Sequence, residues 1–376
     1  MTPDALGILQ VTAPGRFGGR ETVVADLSAA LHERGHRVTV LAVLDEGTDA
    51  GTHPFVQALR SEELAVRSVT LPPRAYGAEA RAIREAVRDS DADIVHSHGY
   101  RTDVVAALSR AVPGARLVST AHGYTGGGRK NRLYERLQAA AWRRFGAVIA
   151  VSEPLVQELL RRGLDPRRVR LIPNAWRGGA RSLDRSEARR RLGIDSDARV
   201  VGWVGRMTQE KGPDVALAAF ARLAAREGAP AQLHFVGEGR LRPELESRAT
   251  ALGMTERVHW HGALTGAGRL FPAFDVLLLS SHTEGTPMVL FEAMAASVPI
   301  VATSVGGVPD VLGSGSAWLV PPRSPDELAA ALGEVLDSPA ESRSRAARAM
   351  TRLHTKYAVG PWVDAHVALY REVLEA

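Results

Sequence analysis

The stretch SSHTEGTPMVLFEAMAASVPIVATSVGGVPDVL, Ser280–Leu312, decides the fold. An uncharged apolar run, Val276–Leu279, leads into it and has the length of a strand. Pro287–Ala296 then reads as a helix, with Pro287 suited to the first turn. Pro299–Thr303 is a second apolar run. Strand, loop, helix and strand within thirty residues predict a parallel βαβ unit. The loop carries Glu284 outside the helix start, and Glu292 sits about one and a half turns inside it.

The same rhythm extends in both directions. Arg199–Val204, Gln232–Val236, Val258–Trp260 and Ala317–Val320 read as further strands, with helices over Pro213–Arg226 and Arg242–Leu252. Upstream, Leu6–Val11, Arg37–Val43, Asp93–His98, Arg116–Ala121, Ala147–Val151 and Val169–Ile172 repeat it. Two runs of βα units predict two doubly wound α/β domains, each with helices on both faces of a parallel sheet. The expected boundaries are 1–174 with a returning helix 361–376, and 175–360. Trp362, Val363, Val367, Leu369, Tyr370 and Leu374 give the tail a packing face.

Composition narrows the classes. The 376 residues are 45% apolar and 24% charged, ordinary for a globular protein. No run of 18 apolar residues exists, so no spanning helix is expected. Met1–Gln10 lacks a basic leader and reads as a first strand, not a signal peptide. The absence of cysteine excludes disulfides and thiolate chemistry, and fits a reducing, cytoplasmic location. Residues 129–170 hold eleven basic against four acidic residues, more than the whole net charge of +5. Such a patch calls for a local anionic partner.

Site residues follow from loop positions. Helix starts leave backbone donors unused and favour anions, so Gly285, Thr286, Pro287, Met288 and Val289 form a candidate phosphate-binding segment. Glu284 and Glu292 could then accept hydrogen bonds from sugar and ribose hydroxyls. In VGWVGRMTQEKGPDVALAAF (Val201–Phe220), Arg206 and Lys211 offer two cations to one diphosphate. Gly18 and Gly19 lie between the first strand and first helix, where backbone can approach a ligand. His122 and His98 both end strands.

Four motifs carry a family resemblance. They are Gly18-Gly19-Arg20-Glu21, Gly205-Arg206 through Lys211-Gly212, Val236-Gly237-Glu238-Gly239, and Glu284 to Glu292 with Gly285, Pro287, Leu290 and Ala293-Met294-Ala295. Together they resemble the retaining GT-B glycosyltransferases of family 4, with the E-x7-E signature. The resemblance implies two Rossmann-like domains facing across a cleft. It implies transfer of a hexose-type sugar from a UDP- or GDP-linked donor to a sugar, glycan or lipid-linked acceptor, in glycoconjugate biosynthesis. Arg206 and Lys211 would bind the diphosphate, helped by Gly18 and Gly19. Glu292 would bind ribose, and Glu284 the donor sugar. His122 matches a histidine beside the reacting sugar, and Asn174 an Ile-Pro-Asn junction with a structural role. Thr286 stands where an aromatic is frequent. His98, Tyr124 and Arg129 are candidates for the acceptor side.

The family lacks an evident protein nucleophile. The resemblance therefore implies front-face departure, without cofactor or essential metal. Asp91–Asp93 is read as the end of a helix entering the strand Ile94–His98, and Asp195–Asp197 as a charged linker turn; neither is read as a metal site. A basic amphipathic helix over Arg129–Ala147, with Leu133, Leu137, Ala141, Trp142 and Phe145 near one stripe, would pack on the sheet or touch an anionic membrane peripherally. No nucleic-acid reading motif appears. A nicotinamide oxidoreductase would need Gly-x-Gly-x-x-Gly after a strand, and APGRFGG lacks that spacing. An epimerase or a non-catalytic sugar-nucleotide binder on the same fold remains the alternative.

Overall fold

The computed structural model describes residues 5–15, 17–108, 115–123, 129–178, 182–226, 231–264 and 266–376, without the side chains of 129–132. The chain divides into two compact units, Met1–Arg177 with Val359–Ala376, and Gly178–Ala358.

The first unit holds seven parallel strands: β1 Gly7–Thr12, β2 Arg37–Asp45, β3 Ala65–Leu71, β4 Ile94–His98, β5 Arg116–Ala121, β6 Ala147–Ala150 and β7 Val169–Leu171. Their order is β3-β2-β1-β4-β5-β6-β7. The chain winds outward from β1 in one direction and then, from β4, in the other. Between such strands the loops diverge and leave a crevice at the carboxyl edge. The central strands are apolar on both faces because helices cover both. Leu9, Val11, Val95 and Val148 pack with Trp142 and Phe145 in one cluster, and Val40, Leu44 and Phe55 with Val24 in another. Each such side chain contributes about 1.5–3 kcal/mol of burial free energy. The terminal helix Val359–Glu375 belongs to this unit. Its Tyr370 hydroxyl lies 2.7 Å from His96 Nδ1, and Asp364 pairs with Arg34 at 2.6 Å.

The second unit repeats the plan with β8 Arg199–Val204, β9 Ala231–Val236, β10 Val258–Trp260, β11 Val276–Leu279, β12 Ile300–Thr303 and β13 Trp318–Val320. The order is β10-β9-β8-β11-β12-β13, all parallel, with the reversal between β8 and β11. Trp203 and Phe235 pack with Val215, Phe220, Leu328 and Leu332 from the covering helices.

Two sequence expectations change. The edge strand β3 was not foreseen in the alternation. The proposed stripe on the basic helix divides. Ala141, Trp142 and Phe145 are buried, whereas Leu133 and Leu137 are 56% and 46% exposed. The helix runs Arg129–Trp142, and Phe145 follows it. The Asp91–Asp93 segment lies where the sequence puts it, between a helix end and the strand β4. Asp91 caps a helix in the left-handed region, and Asp93 Oδ2 accepts the Gly7 N–H at 2.6 Å.

Candidate active site

The loop after β11 and the loop after β8 are built against each other. The His282 N–H donates to the Glu210 carbonyl at 2.8 Å. Ser280 Oγ donates to the Gly212 carbonyl at 2.7 Å and accepts from Trp203 Nε1 at 3.1 Å. Gly212 has φ +59°, and a Cβ there would lie 2.2 Å from the Ser280 carbonyl oxygen. Only glycine permits both the left-handed backbone and that approach.

This packing brings Lys211 to Glu284. The ammonium lies 2.8 and 2.9 Å from the two carboxylate oxygens. The Glu284 side chain is only 5% exposed, and Lys211 is 23%. Ser281 Oγ donates to Glu284 Oε1 at 2.6 Å. Behind them, Gly306 presses its backbone against Glu284, where a Cβ would fall 1.8 Å from the Glu284 carbonyl oxygen. The carboxylate is therefore fixed by backbone packing, a hydroxyl and a cation together. An ammonium has three donors, so Lys211 can serve an anion while still holding Glu284.

The neighbouring residues have separate environments. Arg206 is mostly exposed and pairs with Glu210 at 3.3 Å. Gly285, Thr286 and Pro287 are buried, and Pro287 takes the position before the helix Met288–Ala295. Met288 is buried and Val289 half-buried. The amides of this first turn have no carbonyl one turn back within the helix. Glu292 is half-buried, facing the turn Ala267–Ala273, where a Cβ on Gly268 would lie 2.9 Å from Glu292 Oε1. The two glutamates of the E-x7-E pattern thus occupy distinct surroundings.

In the first unit the carboxyl edge gathers histidines. Gln10 on β1 and His98 on β4 are buried, and His122 directly follows β5. His98 Nε2 lies 2.7 Å from Gln10 Oε1, and His98 Nδ1 lies 3.0 Å from His122 Nε2. Burial, with the nearby Arg20 guanidinium, pushes the His122 pKa down to about 3. Burial first, then neighbouring histidines, holds His98 and His96 well below the usual range. All three imidazoles are therefore neutral near pH 7.

His98 is 1% exposed and backs His122. Gly18 caps the helix Gly19–Glu33, and Gly19 is exposed. Asn174 is buried. Tyr124 and the Arg129 side chain lie outside the described residues. Ser281, Gly268, Gln10 and Arg20 escaped sequence reasoning. Arg20 alone carried a signal, since it stands inside the Gly18–Glu21 motif.

Comparison with known proteins settles the family. The family model described as glycosyl transferases group 1 matches residues 184–352, and that described as glycosyltransferase family 4 matches 17–175. A D-inositol 3-phosphate glycosyltransferase of Geodermatophilus obscurus is 31% identical, over 96% of this chain and 86% of that protein. The chain belongs to the group 1, family 4 glycosyltransferases. An α-D-kanosaminyltransferase of Streptomyces kanamyceticus is 29% identical over 64% of this chain and 66% of its own. Among solved structures, Anabaena Alr3699/HepE in complex with UDP and glucose has TM-score 0.83 at 21% identity, covering 97% of this chain and 99% of that one. Sucrose-phosphate synthase from Thermosynechococcus elongatus has TM-score 0.81 at 20% identity, covering 98% and 99%. The fold is accordingly GT-B, and the protein is a transferase of glycosyl groups. No helix among the described residues is long and apolar enough to cross a membrane.

Proposed function

We propose that this glycosyltransferase moves a hexose from a UDP-linked donor to a hydroxyl of a polyhydroxylated, phosphate-bearing acceptor, with retention at the anomeric carbon. The observation that carries the reading is the Lys211–Glu284 pair held by Ser281 at the end of β11. In a nucleotide sugar the anionic diphosphate and the hydroxyl-bearing ring are adjacent. A cation and a carboxylate in direct contact suit that adjacency, each meeting the neighbouring half of the ligand.

Lys211, Arg206 and the first turn of Met288–Ala295 would take the charge that grows on the leaving diphosphate. Gly18 and Gly19 would present backbone to a diphosphate, as the family resemblance implies. Glu292 would accept hydrogen bonds from the ribose hydroxyls, and Glu284 from those of the sugar. The bond from the anomeric carbon to the phosphate oxygen breaks, and its electron pair stays on phosphate. That oxygen takes the acceptor's proton as the acceptor oxygen bonds the same face. Neutral His122 would meet the sugar without adding like charge near a carbon becoming positive. The cations account for the charge without an essential metal. The inositol-phosphate relatives and a fold neighbour bound to UDP support this choice of acceptor and donor.

Exposed Leu133 and Leu137, with Arg136, Arg143 and Arg144 also exposed, support peripheral contact with an anionic membrane on the cytoplasmic side. The test of the transferase reading is an assay with UDP-glucose and UDP-N-acetylglucosamine against inositol 3-phosphate, with EDTA in a parallel set. A new α-linked product, unaffected by EDTA, is expected. Tight binding of NAD with no UDP binding would overturn it.

A further inference from the structure

The histidine cluster of the first unit fixes more than neutrality. His96 Nε2 lies 2.8 Å from Thr120 Oγ1, and His96 Nδ1 lies 2.7 Å from the Tyr370 hydroxyl. A buried neutral imidazole has one donor and one acceptor nitrogen. With Tyr370 donating to Nδ1 and Nε2–H donating to Thr120, both bonds of His96 are met. The Tyr370 oxygen then keeps lone pairs for an incoming donor.

Gln10 supplies the adjacent link. Its amide nitrogen is buried and completes no hydrogen bond of normal geometry, yet it is turned to the Tyr370 oxygen. That orientation leaves Gln10 Oε1 facing His98, at 2.7 Å from Nε2. A carbonyl oxygen can only accept, so His98 must carry its proton on Nε2. His98 Nδ1 is then an acceptor, and among the described residues the donor that faces it is the N–H of His122 Nε2, at 3.0 Å. A neutral His122 with its proton on Nε2 has a bare lone pair on Nδ1. Among the described residues that Nδ1 has no hydrogen-bond partner. Arg20 beside the ring opposes a second proton there.

We propose that Gln10, acting through His98, is a positioning residue that locks His122 as the Nε2–H tautomer and presents Nδ1 as a hydrogen-bond acceptor for a ligand hydroxyl. The assignment of that hydroxyl to the saccharide rests on the transferase reading; the proton order does not. His122 is thereby tuned to select a donor group on the sugar, and a ring oxygen or ether at the same place would be refused. The opposite tautomer would select an acceptor instead.

The experiment uses the full-length protein labelled with ¹⁵N-histidine, without substrate, and a two-bond ¹H–¹⁵N correlation spectrum at pH 7. Signals of His122 are assigned by their loss in His122→Asn. The expected result is a pyridine-type Nδ1 and a protonated Nε2 for His122. Gln10→Glu, which keeps an acceptor facing His98, should preserve this pattern. Gln10→Leu should replace it with averaged signals from mixed tautomers. A protonated Nδ1 in the unaltered protein would overturn the proposal. So would a His122 pattern in Gln10→Leu identical to that of the unaltered protein, because a fold-supporting residue alone would leave the tautomer in place. Failure of every sugar-transfer assay with this pattern intact would instead count against the transferase chemistry proposed above.

Discussion

The two units arrange their carboxyl edges by opposite electrostatic means. In 178–358 a full positive and a full negative charge stand 2.8 Å apart, nearly buried. In the first unit, Gln10, His98 and His122 form a chain in which every member is neutral. Charges brought together must be held by a rigid frame, and Gly212, Gly306 and Ser281 supply it. Neutral groups need direction, and a line of donors and acceptors supplies that. A charged edge suits an anion such as diphosphate; a neutral, oriented edge suits hydroxyls.

The largest break in this contrast comes from Lys211→Ala. It leaves Glu284 buried with no cation, and removes a charge from the leaving group. Turnover should fall by about 10²–10³-fold, and the unit should lose about 3–5 kcal/mol, the scale for an orphaned buried charge. Product formation and denaturant unfolding measure the two effects. Unaltered turnover would remove Lys211 from the chemistry.

The second test is pH. In 178–358, His234 is pushed down to about 3 by burial and by His259 and His261, which are themselves lowered by burial. A folded pKa below the ordinary 6.5 means that the unfolded chain binds protons first as pH falls. Stability is present above pH 6.5 and is lost below it, by about 2 kcal/mol from His234 alone at pH 5. In the first unit the lowered His96, His98, His122 and His366 act in the same sense. There, burial raises Asp103 to about 6 and Asp26 to about 7. A raised carboxyl makes the folded state the better proton binder, which stabilises on acidification. Hydrogen exchange from pH 7 to pH 5 should therefore find β9 and β10 losing protection. Constant protection in those strands would contradict the linkage.

Ser281→Ala is smaller. It deletes one hydrogen bond to an ionised carboxylate, worth about 1.5–3 kcal/mol. A loss of turnover of roughly 10–100-fold is expected, with UDP affinity unchanged. Gly268→Ala is smaller again. Its methyl would meet Glu292 Oε1 at 2.9 Å, and UDP affinity should drop a few-fold as the carboxylate turns aside. Equal affinity in that variant would argue that Glu292 has room to move.

The alternation of apolar runs made both sheets legible, because a strand buried on both faces announces itself by composition. β3 did not, since AVRSVTL lies at a sheet edge with most residues partly exposed. Glu284, Glu292, Arg206 and Lys211 were legible because each sits at a fixed offset from a strand end and a helix start. Ser281 was hidden among ordinary loop serines. Gly268 meets Glu292 from a turn 24 residues earlier, a contact no local pattern encodes. Gln10 and His98 are 88 residues apart and meet only because β1 and β4 are neighbours. Leu133 and Leu137 shared a helical spacing with Trp142, yet only the last turn reaches the core.

The most direct measurement is calorimetric titration of UDP and UDP-glucose into the unaltered protein, Glu284→Ala and Glu292→Ala. Glu292→Ala should weaken both ligands by roughly tenfold or more, as loss of hydrogen bonds to a charged group would. Glu284→Ala should leave UDP affinity intact and abolish any gain contributed by the glucose. Equal losses for both ligands in both variants would contradict the division of labour between the two glutamates.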